Sequence, residues 1–294
     1  MKKFAKNIIC FLVLILMLDI CYGFICNYLI VHSKGGLTEK IYRISSSLDS
    51  ELLIMGSSRA AHHYNTKVIE DSLGISAYNA GFEGNGIISA YGFLVSILKY
   101  HKPQCIIYDL SGYDIQVDDN TKYLNLLKDC YSKDQQLIFA DIDKFSPYKM
   151  QSSFYRYNSN FPRFIRDCYH PNEVFQSGYQ PLYGEMKAKA EGRILSKPKS
   201  DPKKHEYLNK FISLCKAENI KLLFVVSPSY KNSYGWEFWS SVKELCESEQ
   251  IQFLNFENME ALSDNHLYFF DSVHMNNAGA SAYTDYFIKK FLNN

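Results

Sequence analysis

Apolar positions along the chain fall into two regimes. A single long run, Ile8 to Val31, is interrupted only by Asp19 and Asn27, and beyond it short β-rich runs alternate with segments that repeat apolar residues at helical spacing. The alternation predicts strand 51–56, helix 60–73, strand 75–80, helix 86–100, strand 104–110, helix 203–218, strand 220–227, helix 236–249, strand 250–256 and a last helix 276–291. Runs such as CIIYDL and KLLFVVS are continuously apolar, as strands buried on both faces are. The expected fold is therefore α/β, a doubly wound, flavodoxin-like parallel sheet of five strands. Chemistry in such a sheet is expected at the carboxyl ends of the strands.

Between the third strand and the next helix the rhythm stops. Residues 115–200 carry Tyr148, Phe154, Tyr155, Tyr157, Phe161, Phe164, Tyr169, Phe175, Tyr179 and Tyr183 among scattered Pro, Asn and Ser. Aromatic density of this kind argues against disorder. Two readings stand: a cap over the sheet edge whose rings stack on sugars, or an insertion with a small core of its own. The Lys/Pro-rich stretch Lys197 to Lys204 reads as an exposed connector with a solvated charge run.

At the amino terminus Lys2, Lys3 and Lys6 precede the long apolar run, which matches the ~20 residues that a bilayer-crossing helix needs. The basic flank places the amino terminus in the cytoplasm and the rest of the chain in the periplasm or cell exterior. A cleaved signal peptide lacks its small-x-small site here, and Cys21 follows Leu18-Asp19-Ile20 rather than the small residues of a lipoprotein signal. The expected organisation is an uncleaved anchor over 1–31, a linker over 32–50 and a globular domain over 51–294 that carries the insertion 115–200. Asp19 lies near the middle of the anchor, where an ionisable group is costly. It is expected to face a membrane partner helix, unless it is protonated or lies near an interface.

Composition narrows the classes. Of 294 residues 47% are hydrophobic, enough for a sizeable core. The formal net charge of +1, from 32 basic and 31 acidic side chains, leaves no electrostatic footprint for nucleic acid. Eight cysteines include no CxxC pair, so neither a zinc site nor a dense disulfide framework is expected, although one disulfide outside the anchor stays open. No metal and no cofactor is expected.

Two local patterns carry chemistry. ELLIMGSSRAAHHY, from Glu51 to Tyr64, delivers Ser57 and Ser58 from a strand to a helix start, where a serine either caps the helix or acts as a nucleophile. FFDSVHMNNAGASAY places Asp271 three residues before His274, just ahead of the last helix. A carboxylate so placed can fix the imidazole tautomer and leave the other nitrogen free to take a proton from a serine. His62 and His63 lack a second ligand cluster and read as ordinary helix residues, and His266 lacks an acid at the same spacing.

Four blocks in order, GSSR, NAGFEGNG, YDLSGYD and DSVH, resemble those of the SGNH, or GDSL-type, hydrolase superfamily over roughly residues 51–294. Within it the serine-for-aspartate variant is similar to bacterial polysaccharide O-acyl esterases and transferases and to teichoic acid D-alanine transfer proteins. The resemblance implies Ser58 as nucleophile, His274 as general base and Asp271 as its orienting acid, with Ser57 left to the turn. It implies an oxyanion hole from the N–H groups of Ser58 and Gly84. Tyr113 stands where the family has an asparagine, which leaves room for a transferase or a weakened enzyme. Arg59, Asn85 and Tyr113 are candidate substrate contacts; Arg59 alternatively lies on the surface beside Glu70 or Asp71. The implied function is a membrane-anchored extracytoplasmic esterase or O-acyltransferase acting on acyl, above all acetyl, esters of envelope or secreted polysaccharide. The alternative is a non-catalytic accessory protein that binds glycan or docks on a membrane O-acyltransferase through the anchor.

Overall fold

The computed structural model describes residues 1–187, 193–194, 199–233 and 235–292. In chain order the first elements are α1 (Lys2–Val31), α2 (Gly36–Ser46), β1 (Leu52–Gly56), α3 (Ser58–His63), α4 (Thr66–Leu73), β2 (Ala77–Gly81), α5 (Ile87–Ile97) and β3 (Cys105–Asp109). Four short helices follow: α6 (Gln136–Ile142), α7 (Ser146–Lys149), α8 (Ser153–Tyr157) and α9 (Phe161–Tyr169). The chain closes with α10 (Pro202–Ala217), β4 (Lys221–Val226), α11 (Trp236–Ser248), β5 (Gln252–Asn255) and α12 (Asn277–Phe287). Residues 193–194 and 232–233 form a two-residue parallel pair.

The five main strands run parallel in the order β2-β1-β3-β4-β5, the doubly wound arrangement expected. Every residue of β1 and β2 is buried; β1 accordingly reads as an unbroken apolar run, while β2 carries the buried Asn79, whose side chain donates to the Ala60 and Tyr64 carbonyls. Each fully buried Leu, Ile or Val side chain contributes roughly 1.5–3 kcal/mol. Gly56 ends β1 at φ +136°, and a Cβ there would lie 2.4 Å from the Asp109 carbonyl oxygen of the neighbouring strand. Only glycine lets the chain turn out of the sheet at this point.

Where sequence and structure differ, local chemistry explains it. The expected helix 60–73 is two helices, because Tyr64 turns inward in extended conformation and Asn65 starts a new helix by accepting a hydrogen bond from the Lys67 N–H. The stretch expected as a linker contains α2, with buried Ile41 and Ile44 on one side. Lys204, expected on a solvated surface, is buried, donating to the Gln116 carbonyl at 2.7 Å and to Asp118 at 2.8 Å. Within the same connector, residues 197 and 198 lie outside the described ones.

The chain divides into two compact units. One comprises residues 1–47 and 120–174, the other residues 48–119 and 175–294. In the first, Cys26, Leu29 and Ile30 of α1 pack with Tyr157, Phe164 and Cys168, with Tyr22, Tyr42 and Phe161 against them. Aromatic residues of the insertion thus build a core with α1. Asp19 is satisfied inside its own chain: it accepts from the Ser152 hydroxyl at 2.8 Å and from the N–H groups of Ser153 at 2.9 Å and Phe154 at 2.7 Å, at the start of α8. In the second unit a cluster runs from Leu52 and Ile54 through Ile107 and Leu223 to Tyr283 and Phe287. The eight cysteines are free.

Candidate active site

Ser57 and Ser58 follow Gly56 at the carboxyl edge of the sheet. Ser57 holds the N-cap position of α3 with extended backbone but makes no side-chain cap bond. Ser58 is the first residue of the helix and is 8% exposed. Its Oγ lies 2.8 Å from Nε2 of His274, whose Nδ1 lies 2.8 Å from the Asp271 carboxylate. The other Asp271 oxygen accepts from the N–H groups of Val273 and His274, each at 2.8 Å. A carboxylate accepts only, so Nδ1 carries the proton and Nε2 presents its lone pair to the serine hydroxyl. Partial burial works to raise the Asp271 pKa, but the hydrogen bonds from the His274 ring and from the Val273 and His274 N–H groups outweigh it and hold the carboxyl at about 2.

The turn after β2 brings in the second block. Gly84 adopts φ +62° with open space where a Cβ would be. Among the described residues neither the Gly84 nor the Ser58 main-chain N–H donates a hydrogen bond. For Ser58 this follows from its place in the first helical turn, whose N–H groups have no partner within the helix. Asn85 is buried at 3%; its Oδ1 accepts from Ser89, while its amide nitrogen has no partner among the described residues. Tyr113 occupies the one-turn helix after β3 and is 37% exposed. Beside it Asp114 closes a capping box with Ser111.

Beneath the serine lies a polar layer that the sequence did not announce. Arg59 is 4% exposed and donates to the carbonyls of Leu110 and Ser227, with Asp109 Oδ1 at 3.8 Å. It is not the surface residue beside Glu70 or Asp71. Turned inward at the start of α3, it meets the carboxyl ends of β3 and β4. Burial raises the Asp109 pKa, and the Arg59 guanidinium and the Ser227 donors oppose that rise.

His63 and His62 are not ordinary helix positions either. His63 is fully buried; its Nε2 accepts the Met275 N–H at 3.0 Å, so Nδ1 donates to the Ser227 hydroxyl at 2.8 Å. Burial first, then the Arg59 charge, push its pKa well below the usual histidine range and keep it neutral. Its partner Met275 is the residue next to His274, which ties the base to a rigid layer. His62 faces two acceptors, the Gln180 carbonyl at Nδ1 (2.6 Å) and the Glu83 carboxylate at Nε2. A carbonyl only accepts, so Nδ1 donates to Gln180, and Nε2 is left to pair with Glu83. The bond from His62 holds the largely exposed Glu83 carboxyl below the usual carboxylate range. The His62 ring stands edge-on to His274, with centroids 5.4 Å apart. Its position was readable, since residues four apart share a helix face and His62 is four beyond Ser58.

The site is thus a hydrogen-bonded Ser–His–Asp series at the carboxyl edge of a doubly wound sheet, with two unpaired N–H groups at the adjoining turns. No group of metal-ligating side chains occurs among the described residues. No protein-family model and no curated protein matches the chain. Solved structures do. A GDSL-like lipase from Bacteroides thetaiotaomicron VPI-5482 is 11% identical over 87% of this chain and 98% of its own, with a TM-score of 0.40. An acetyl xylan esterase is 11% identical, covering 82% and 99%, with a TM-score of 0.42. A candidate acylhydrolase from Bacteroides fragilis NCTC 9343 is 12% identical, covering 88% and 96%, with a TM-score of 0.43. The chain is similar in fold to these proteins, and the chemistry argued next rests on its own residues.

Proposed function

We propose that the chain is a membrane-anchored, extracytoplasmic serine esterase or O-acyltransferase of the SGNH type, acting on acyl esters, in the first place acetyl esters, of an envelope or secreted polysaccharide. The observation that carries the chemistry is the series from Ser58 Oγ through His274 to Asp271, with both links at 2.8 Å. Ser58 Oγ attacks the ester carbonyl while His274 Nε2 takes its proton, and Asp271 stabilises the imidazolium that results. The oxyanion is received by the N–H groups of Ser58 and Gly84, a contribution of about 3 kcal/mol per donor in comparable sites. Collapse breaks the ester C–O bond, His274 returns the proton to the leaving sugar oxygen, and the acyl group stays on Ser58. Attack by water then completes hydrolysis, and attack by a second hydroxyl completes transfer.

The membrane part of the reading rests on α1, a 30-residue helix whose most apolar window has a mean hydropathy of 2.7. The polysaccharide rests on the resemblance of the four blocks and on the outward placement implied by Lys2, Lys3 and Lys6. Full-length protein in nanodiscs is expected to form a covalent adduct with a serine-reactive phosphonate and to release acetate from an acetylated glycan. The Ser58→Ala variant is expected to lose both, at least about a thousandfold in rate. Persistence of either activity in that variant overturns the mechanism. An unreactive Ser58 in a folded protein supports the accessory alternative, which Tyr113 in the family's asparagine position favours.

A further inference from the structure

We infer that residues 145–155 of the insertion are an interfacial element, bedded in an anionic phospholipid leaflet beside the point where α1 leaves the bilayer. The inference rests on reading α1 as a membrane anchor. Residues 1–18 are exposed on every side, whereas Asp19 is buried at 8% by its bonds to Ser152, Ser153 and Phe154. From Asp19 onward one side of the helix is covered by the insertion: Tyr22 stacks on Phe154 at 5.0 Å, and Cys26, Leu29 and Ile30 are buried. The freely exposed apolar stretch therefore runs only from Phe4 to Leu18, about 22 Å at 1.5 Å per residue, against a hydrocarbon core of about 30 Å. Alone it is too short. On the uncovered side Ile20, Phe24 and Ile25 remain exposed, so the apolar surface continues past Asp19 there.

On the covered side the insertion must supply the missing apolar surface, and residues 145–155 do. Phe145 is 57% and Tyr148 78% exposed, and Phe154 and Tyr155, at 41% each, adjoin the Asp19 cap itself. Lysines accompany them: Lys144 lies 5.0 Å from the Phe145 ring, and Lys128 and Lys149 lie 5.1 and 5.9 Å from that of Tyr155. Exposed rings flanked by lysines are the composition of a bilayer interface, the ring at headgroup depth and the ammonium reaching outward. Past Asp19, on the side of the bilayer where the insertion lies, residues 20–47 and 120–174 carry 11 Lys and Arg against 7 Asp and Glu, which favours an anionic leaflet. The rest of the chain has the opposite excess.

Unmodified full-length protein in nanodiscs of phosphatidylcholine and phosphatidylglycerol, doped with a phospholipid bearing a diazirine on its acyl chain, tests this after photolysis and peptide mapping. Label is expected on residues 4–18 and, within about threefold per residue, on 145–155, with little on the exposed Val174 of the same unit, which lies against Gly35 past the far end of α1. Label on 4–18 but none on 145–155 overturns the inference and leaves the anchor standing. Equal label on Val174 also overturns it. Absence of label from 4–18 overturns the anchor itself, and the inference with it.

Discussion

Asp114 carries a carboxyl group that the fold keeps out of water, buried under the one-turn helix that follows β3. Burial raises its pKa to about 6, against bonds from Tyr108 and Ser111 and the charge of Lys204 that favour the ionised form. The folded chain therefore holds this proton more tightly than the unfolded chain. The stability it adds is fully present below about pH 4 and is lost as pH rises through about 6. A hundredfold difference in proton affinity between the folded and unfolded chain is worth about 3 kcal/mol. Urea denaturation at pH 4, 5, 6 and 7 is expected to show the wild type losing stability across this window relative to Asp114→Asn, whose side chain does not titrate. A parallel pH dependence in the two proteins would refute the assignment. The residues that were legible, Ser58, Asp271 and His274, sit in local motifs whose spacing alone limits their geometry. Arg59 and His63 were not, because their partners, Ser227, Leu110 and Met275, come from distant parts of the chain and only tertiary structure brings them near.

At the scale of elements, the sheet was legible because its central strands β1, β3 and β4 are buried along nearly all their length and read as apolar runs, although the edge strand β5 leaves Gln252 and Asn255 exposed. The insertion was not: α6 to α9 are four to nine residues long, too short to show a period, and tertiary contacts hold them in place. Hydropathy likewise marked α1 as a bilayer-length helix but could not report that one side of its second half is covered by its own chain. Asp19 was the visible sign, and its partners proved to be the first residues of α8. Removing the carboxylate leaves the Ser153 and Phe154 N–H groups without their acceptor, at a cost of about 1–3 kcal/mol. Asp19→Leu in full-length protein is therefore expected to lower the melting temperature by several degrees and to raise proteolysis within 145–169, with Asp19→Asn intermediate. A variant as stable and as resistant as wild type would show that the cap contributes nothing. The same packing explains why full-length protein suits assays: a chain begun at residue 32 lacks Cys26, Leu29 and Ile30, part of the core of the first unit.

For the whole molecule, a formal net charge of +1 conceals a division. The unit that contains α1 and the insertion has an excess of six positive charges, and the unit that contains the Ser–His–Asp series has an excess of five negative ones. Net charge averaged away the sign of each part, which only the division of the chain restores. Each basic side chain near an anionic leaflet is worth about 1 kcal/mol. Replacing Lys128 and Lys144, which stand over Tyr155 and Phe145, by glutamine removes two such contributions without touching the rings. Acyl-chain photolabelling of residues 145–155 is then expected to fall about tenfold in membranes containing phosphatidylglycerol and to change little in pure phosphatidylcholine. Labelling of residues 4–18 should stay constant in both, because α1 is held by apolar area rather than by charge. A fall of equal size in the two lipid compositions would mean that the lysines support the fold of the insertion and not its contact with an anionic leaflet.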